Sequence, residues 1–156
     1  MEIEVRKAMA QDCFAIWTLV KELAVYERAP NEVTTSPEIF ERDMAAGRFH
    51  AFVALEDGDV VAMALFYPIY STWKGLSYYL EDIIVKETYR RRGVGSKLFE
   101  AVLRFCKEQN AGRLGWQVLE WNQSAIDFYK KYNAEFDNEW ITCRIRDENM
   151  GALINQ

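Results

Sequence analysis

The chain has 156 residues, of which 50% are hydrophobic and 28% charged, a balance that excludes the disordered and fibrous classes and predicts one globular domain over residues 1–156. Its formal net charge of −5 argues against a general nucleic-acid binder, because such proteins need a positive surface to displace counterions from phosphates. An acidic surface suits a cationic partner, although it also simply keeps a protein in solution.

Cysteine spacing and hydropathy exclude further classes. Cys13, Cys106 and Cys143 lie far apart without a CxxC motif, so we expect buried thiols, no metal site and no disulfide framework. The N-terminus alternates in charge, and no stretch approaches the roughly 18 apolar residues of a membrane span. We therefore expect a cytoplasmic protein with no membrane partner.

The first half of the chain predicts an edge strand, two helices and a hairpin. Alternating residues indicate the strand, and apolar residues at spacings of three and four indicate the first helix. Ser36-Pro37 begins the second helix and Gly47 ends it, since proline is tolerated in a first turn. The predicted spans are 3–7 for the strand, 13–27 and 37–46 for the helices, and 49–55 with 60–67 for the hairpin.

The second half predicts a βαβ unit followed by a helix and a last strand or hairpin. The strands are predicted at 77–85, 113–120 and 135–146, the helices at 94–109 and 122–132, and the tail after Asp147 is expected to fray. Strands and helices in this order are typical of a mixed α+β fold.

Residues 81–96 form a strand, a basic turn and a helix start, which together look like an anion site. The free N–H groups of a helix's first turn carry partial positive charge and can bind a diphosphate. Gly93 and Gly95 let the backbone approach such a ligand closely. A P-loop is excluded because no Gly-Lys-Ser/Thr ending follows. The single Gly-x-Gly also lacks the third glycine of the dinucleotide-binding fingerprint. The alternative interpretation is a solvated arginine run before an ordinary helix.

The turn Arg90-Arg91-Arg92-Gly93-Val94-Gly95 is similar to the Gln/Arg-x-x-Gly-x-Gly/Ala motif by which GNAT N-acetyltransferases hold the pyrophosphate of acetyl-CoA. Further motifs, in the same order, resemble the diamine acetyltransferase family, which includes the spermidine/spermine enzymes and their thialysine-acetylating relatives. These motifs lie at 13–27, 70–75, 79–82, 120–122 and 128–130. The resemblance covers nearly the whole chain and weakens only after about residue 146.

The resemblance implies a GNAT fold, with a central mixed and mostly antiparallel sheet flanked by helices, and acetyl-CoA as co-substrate. It implies that Tyr129 protonates the departing CoA thiolate and that Glu81 helps to remove the proton of the amine through water. It also implies that Tyr26, Glu27, Glu81 and Asp82 hold a small cationic amine, and that the protein is a homodimer. The implied cofactor residues are Ile83, Ile84 and Val85 at the pantetheine arm, Arg90, Arg91, Arg92, Gly93, Val94, Gly95 and Ser96 at the pyrophosphate, and Asn122, Gln123, Ser124 and Ala125 near the thiol.

One position departs from the polyamine enzymes. They have an aspartate after the tyrosine that matches Tyr70, whereas Ser71 stands here, in a Tyr-Ser-Thr-Trp-Lys-Gly run like that of the thialysine relatives. An anchor for a long polyamine is therefore missing, which favours a lysine-like or short diamine acceptor.

Amine acetylation requires groups of these chemical types. An alkylamine has a pKa of about 10.4 and is almost wholly ammonium at neutral pH, yet only the free amine attacks a thioester. The Glu81 carboxylate can attract the cation and relay its proton through water, and Asp82 strengthens the field. The Tyr129 phenol can donate to sulfur as negative charge develops there, and a strand N–H near Ile83 can hold the oxyanion.

Each of these assignments has a structural alternative. Tyr129 could pack in a core with neighbours on its helix, and Glu81 with Asp82 could be a polar strand end. Core filling is the favoured interpretation for at least two of the three tryptophans Trp73, Trp116 and Trp121. His50, the single histidine, stands at a strand start and is discounted as a catalyst.

Three other functions remain open. A GNAT enzyme acting on a protein lysine or N-terminus would use nearly the same site residues. A non-catalytic acyl-CoA sensor would keep the turn but need neither Tyr129 nor Glu81. A nucleic-acid module built on the arginine run lacks interleaved aromatic residues and sits on an acidic chain.

Overall fold

The computed structural model describes residues 2–154, which fall into two compact units, one ending at Gln117 and the other beginning at Val118. No helix of the described chain is long and apolar enough to cross a membrane. Within residues 2–154, no group of His, Cys, Asp or Glu side chains is placed to hold a metal ion.

The first unit contains a five-stranded sheet in the order β1-β2-β3-β4-β5. The strands are β1 (Glu4–Lys7), β2 (His50–Glu56), β3 (Asp59–Ser71), β4 (Gly75–Val85) and β5 (Leu114–Gly115). Neighbouring strands from β1 to β4 pair antiparallel, and β5 pairs parallel to β4. The predicted mixed, mostly antiparallel sheet is therefore confirmed.

Five α-helices accompany the strands in residues 2–154. They are α1 (Cys13–Tyr26), α2 (Pro37–Ala45) and α3 (Val94–Glu108) in the first unit, and α4 (Gln123–Lys130) and α5 (Asp147–Ile154) in the second. The Ser36 hydroxyl accepts a hydrogen bond from the Ile39 N–H at 3.3 Å and so caps the start of α2.

The sheet of the first unit buries both of its faces. Ile16 and Leu19 of α1 pack with strand residues such as Met63 in one apolar cluster. On the other face, the Phe105 ring of α3 lies 5.1 Å from the ring of Phe66. His50 belongs to this aromatic layer, 5.0 Å from Phe105, and burial lowers its pKa, so its observed place is in packing.

Two strand predictions were wrong. The strand predicted at 113–120 contains only the pair that forms β5, which bonds to β4 at Tyr78 and Tyr79. Residues 135–146 form no strand, because a strand needs a ladder partner and none of the described strands pairs with this segment. Asp147–Ile154 was expected to fray and is instead the helix α5.

The expectation of buried thiols holds for two cysteines. Cys13 and Cys106 are buried, and burial raises the pKa of the Cys106 thiol to about 11. Cys143 lies in the segment without a strand and is exposed, so the expectation was wrong there.

Candidate active site

A β-bulge in β4 lies at the centre of the candidate site. Leu65 pairs with Asp82 and the next residue of β3, Phe66, pairs with Leu80, so Glu81 is the extra residue. A bulge bends its strand and redirects a side chain, and bulges are enriched beside active sites. Glu81 is exposed, and its Oε2 accepts a hydrogen bond of 2.7 Å from the Tyr67 hydroxyl on β3.

A cluster of carboxyl groups forms beside the bulge, and we call Glu27, Glu81 and Asp82 the acidic cluster. Burial raises the pKa of Asp82 to about 7, and the charges of Glu81 and Glu27 add to the effect. Burial also raises the pKa of Glu27, which directly follows α1. No residue in the described part of the chain forms an ion pair with these carboxyl groups.

Tyr26 lies beside Glu27 at the end of α1, and its ring contacts an arginine of the basic turn. The Arg90 guanidinium lies 5.5 Å from the centroid of the Tyr26 ring, within the range of a cation–π contact. The Arg90 Nε also donates to the Val85 carbonyl at 3.0 Å. The side chain of Arg90 is thus engaged with protein groups, and it connects α1 with the end of β4.

The start of α3 has the features expected of an anion site. Gly93 precedes the helix with φ +75°, a left-handed conformation that favours glycine, and no side chain of the described residues caps the helix. The first-turn residues Val94, Gly95 and Ser96 precede Lys97, whose N–H bonds to the Gly93 carbonyl. Their N–H groups are those that an α-helix leaves without an intrahelical acceptor.

The surroundings of this helix start also fit an anion. The first turn carries no acidic side chain, and a Cβ built on Gly93 would meet no atom within 4 Å. Arg91 and Arg92 are exposed beside it, and Arg91 itself adopts φ +60°. Open space, free donors and positive charge are what a diphosphate group requires.

Tyr89 anchors the basic turn to the β2–β3 hairpin. Its hydroxyl donates to the Glu56 carboxylate at the end of β2. The Arg92 guanidinium lies 5.6 Å from the centroid of the Tyr89 ring. Tyr89 was not among the residues predicted from the sequence, because its partner is 33 residues away in the chain.

The short β5 ladder covers only part of the outer edge of β4. The parallel pairing ends at Tyr79 with Gly115, so residues 80–85 pair on this edge with no described strand. Ile84 is buried in the apolar cluster, whereas Ile83 and Val85 are half-buried. The pairing of Ile83, Ile84 and Val85 with a pantetheine arm stays a prediction.

The hairpin between β3 and β4 contains the serine that departs from the polyamine enzymes. The Ser71 Oγ accepts hydrogen bonds from the N–H groups of Trp73 at 3.2 Å and Lys74 at 3.1 Å. Trp73 is 84% exposed and Trp121 is 42% exposed, while Trp116 packs edge-on against Phe99. Core filling by at least two tryptophans was therefore a wrong prediction.

The second unit carries the remaining predicted site residues. The Asn122 Oδ1 caps α4 by accepting from the Ala125 N–H at 3.2 Å, and Gln123 and Ser124 are exposed. Tyr129 is 6% exposed, with its ring 5.4 Å from that of Phe128. Its predicted role as the acid stays a prediction.

Comparison with known proteins identifies the family. The profile of the Acetyltransferase (GNAT) family matches residues 14–134. The thialysine N-epsilon-acetyltransferase of Bos taurus is 36% identical, over 97% of this chain and 96% of that protein. The L-ornithine N5-acetyltransferase of Arabidopsis thaliana is 36% identical over 64% of this chain and 44% of its own length.

Solved structures show the same fold. An aminoglycoside acetyltransferase from an uncultured soil metagenomic sample superposes with a TM-score of 0.78 at 20% identity, covering 92% of this chain and 97% of its own. The ribosomal-protein-alanine N-acetyltransferase of Brucella melitensis biovar Abortus 2308 superposes with a TM-score of 0.73 at 16% identity. The match covers 93% of this chain and 99% of that chain. The chain belongs to the GNAT acetyltransferase family, and it is an N-acetyltransferase with the GNAT fold.

Proposed function

We propose that the protein transfers the acetyl group of acetyl-CoA to the primary amine of a small cationic acceptor, either a lysine-like amino acid such as thialysine or a short diamine. The observation that carries this proposal is the acidic cluster, in which the carboxyl groups of Glu27, Glu81 and Asp82 gather without a cationic partner among the described residues. The names of the Bos taurus and Arabidopsis thaliana relatives support an acceptor of this class.

The acidic cluster supports binding of a cation in two ways. Negative charges that repel one another are stabilised when an ammonium group enters between them. Burial of Asp82 and Glu27 strengthens that attraction, because water screens the charges less. Tyr26 would supply an aromatic ring next to Glu27 at the end of α1.

The start of α3 would bind the pyrophosphate of the co-substrate. The N–H groups of Val94, Gly95 and Ser96 would donate to it, and Arg91 and Arg92 would add charge. When bound, acetyl-CoA supplies the acetyl thioester. The backbone of 83–85 would lie beside the pantetheine arm, along the part of the β4 edge that pairs with no described strand.

Two residues would move protons. The Glu81 carboxylate would take the ammonium proton through water, since an alkylammonium keeps that proton at neutral pH. Tyr129 would return a proton to the sulfur of the leaving group. The role of Tyr129, and those of Asn122, Gln123, Ser124 and Ala125 near the thiol, follow from the resemblance.

We also propose that residues 1–156 act as one GNAT domain, which the alignment with 96% of the Bos taurus relative supports. The homodimer implied by the resemblance belongs to this proposal. Light scattering on the purified protein tests it, with twice the chain mass of 18.2 kDa as the expected result.

An assay of free CoA thiol with a panel of amines tests the proposed acceptor. Thialysine, lysine, ornithine, putrescine and spermidine would be compared with a lysine-containing peptide at equal concentration. We expect thiol release with the small amino acids or putrescine, and weak release with spermidine. Release with the peptide alone would show a protein acceptor, and acetyl-CoA binding without release from any amine would show a non-catalytic sensor.

A further inference from the structure

The hydroxyl of Tyr67 donates to the Glu81 Oε2 at 2.7 Å, and we infer that Tyr67 is a positioning residue that orients this carboxylate toward the acceptor amine. This inference rests on the proposed function, because it assigns a purpose to the orientation of Glu81. Among the described residues, Tyr67 is the one hydrogen-bond donor to the Glu81 side chain.

Glu81 needs such a support because of its place in the sheet. As the extra residue of the bulge it has no residue directly opposite it on β3, and its side chain is exposed. An exposed glutamate samples several rotamers, and a base must lie within hydrogen-bond reach of the proton that it removes. The bond from Tyr67 fixes Oε2 and leaves Oε1 available to water or the amine.

Tyr67 is itself held in place from two sides. It is half-buried against the apolar cluster of α1, and its ring lies 5.6 Å from that of Tyr79, its cross-strand partner. A tyrosine side chain has only two main rotatable bonds, so packing of the ring fixes the position of the hydroxyl. The donor is therefore more rigid than the carboxylate that it orients.

Several carboxyl groups and phenols surround Glu81, so the position of its side chain depends on the hydrogen bond from Tyr67. Asp82 lies next to it in the sequence, Glu27 lies at the end of α1, and the phenols of Tyr67 and Tyr79 face it from β3 and β4. The neighbouring carboxyl groups repel the Glu81 side chain, and the hydrogen bond from Tyr67 holds it in place against that repulsion. Burial, and then the bond to Glu81, raise the pKa of Tyr67, so this hydroxyl keeps its proton and remains a donor.

The variant Tyr67→Phe tests the inference, because it removes the hydroxyl and keeps the ring contact. We expect kcat to fall about tenfold, while KM for acetyl-CoA stays unchanged, because the base is misplaced and the cofactor turn is untouched. Tyr79→Phe is the matched control, since it has the same ring contact but makes no bond to Glu81, and it should keep the wild-type kcat and the wild-type KM for acetyl-CoA.

A double-mutant cycle with Glu81→Gln separates this inference from the proposed function. If Tyr67 acts through Glu81, then Tyr67→Phe should lower kcat by less than about twofold on the Glu81→Gln background. Full activity of Glu81→Gln alone would remove Glu81 as the base and contradict the proposed function. Loss of activity in Glu81→Gln together with wild-type kcat in Tyr67→Phe would overturn only the role of Tyr67.

Glu81→Asp provides a second test if Tyr67→Phe does not fold. Glu81 is exposed, so its substitution leaves the core intact, and the shorter carboxylate withdraws from the Tyr67 hydroxyl. We expect a loss of kcat similar to that of Tyr67→Phe, although a carboxylate is retained at position 81. Wild-type kcat in Glu81→Asp would overturn the inference.

Discussion

The guanidinium of Arg90 lies over the ring of Tyr26, 5.5 Å from its centroid, and its Nε donates to the Val85 carbonyl at 3.0 Å. One side chain thus joins the end of α1, where the acidic cluster begins, to the end of β4, where the basic turn begins. Arg90 therefore couples the geometry of the proposed acceptor site to that of the proposed pyrophosphate site.

Arg90→Lys should weaken both proposed sites together. The lysine keeps the charge but loses the planar group that stacks on Tyr26 and the Nε bond to Val85. We expect KM for the amine and for acetyl-CoA each to rise about threefold to tenfold, measured by steady-state kinetics. Arg104→Lys, an exposed substitution on α3, is the control, and a rise confined to one KM would contradict the coupling.

Gly93→Ala should weaken acetyl-CoA binding specifically. Gly93 has φ +75° and open space above it, so alanine costs backbone strain of about 1–2 kcal/mol and places a methyl group where the pyrophosphate would lie. Gly58→Ala is the matched control, since Gly58 has φ +87°, the same open space, and a place in the β2–β3 turn.

Both glycine variants should lower the Tm by a few degrees, about 2–8 °C, because the strain is similar. Only Gly93→Ala should raise the Kd for acetyl-CoA, by about tenfold, in calorimetric titration. Equal Kd values for acetyl-CoA in the two variants would show that the start of α3 does not bind the cofactor.

Asp82 should make the protein less stable as the pH rises. The folded state raises the pKa of Asp82 from 3.8 to about 7, so between these values the unfolded chain binds fewer protons than the folded one. The stability that this group contributes is full below about pH 4 and is lost as the pH rises to about 7. The burial of Glu27 acts in the same direction.

Asp82→Asn should remove most of this dependence. The variant should be more stable than the wild type above about pH 7, by about 2–4 kcal/mol, with a smaller difference near pH 4. Urea unfolding at several pH values measures the effect. A wild-type protein whose stability is flat between about pH 4 and 7 would show that Asp82 titrates normally.

Tyr129→Phe should lower kcat and leave acetyl-CoA affinity nearly intact. Loss of a general acid costs about 10²-fold or more, and the phenylalanine fills nearly the same buried volume. Tyr132→Phe, in the turn that follows α4, is the control, and rapid-quench kinetics with calorimetry would measure both quantities. Unchanged kcat in Tyr129→Phe would leave core packing as the function of this residue.

Local sequence signals predicted much of the structure. Apolar spacing located α1 and α3, and the Glu56–Asp59 turn located the β2–β3 hairpin, because these features depend on neighbouring residues. The same holds for the start of α3, where the arginines and Gly93 predicted a turn that begins a helix. Grouping of Glu27 with Glu81 and Asp82 came from the family resemblance rather than from spacing.

Features that depend on distant residues were not predictable in this way. The bulge at Glu81 arises from the register between β3 and β4, and alternation along β4 alone does not reveal it. Tyr67 was read only as the last residue of a predicted strand, although its hydroxyl bonds to a residue 14 positions later. Residues 135–146 have a strand-like composition, yet Trp140 and Ile141 are exposed and no described strand pairs with them.

The start of α3 is proposed to bind the diphosphate of the coenzyme. Calorimetric titration of the protein with acetyl-CoA, and separately with S-acetylpantetheine, which has no diphosphate, tests this claim most directly. We predict that acetyl-CoA binds at least about 100-fold more tightly, and that this difference shrinks at high salt. Equal affinity for the two thioesters, or no binding of acetyl-CoA, would contradict the claim.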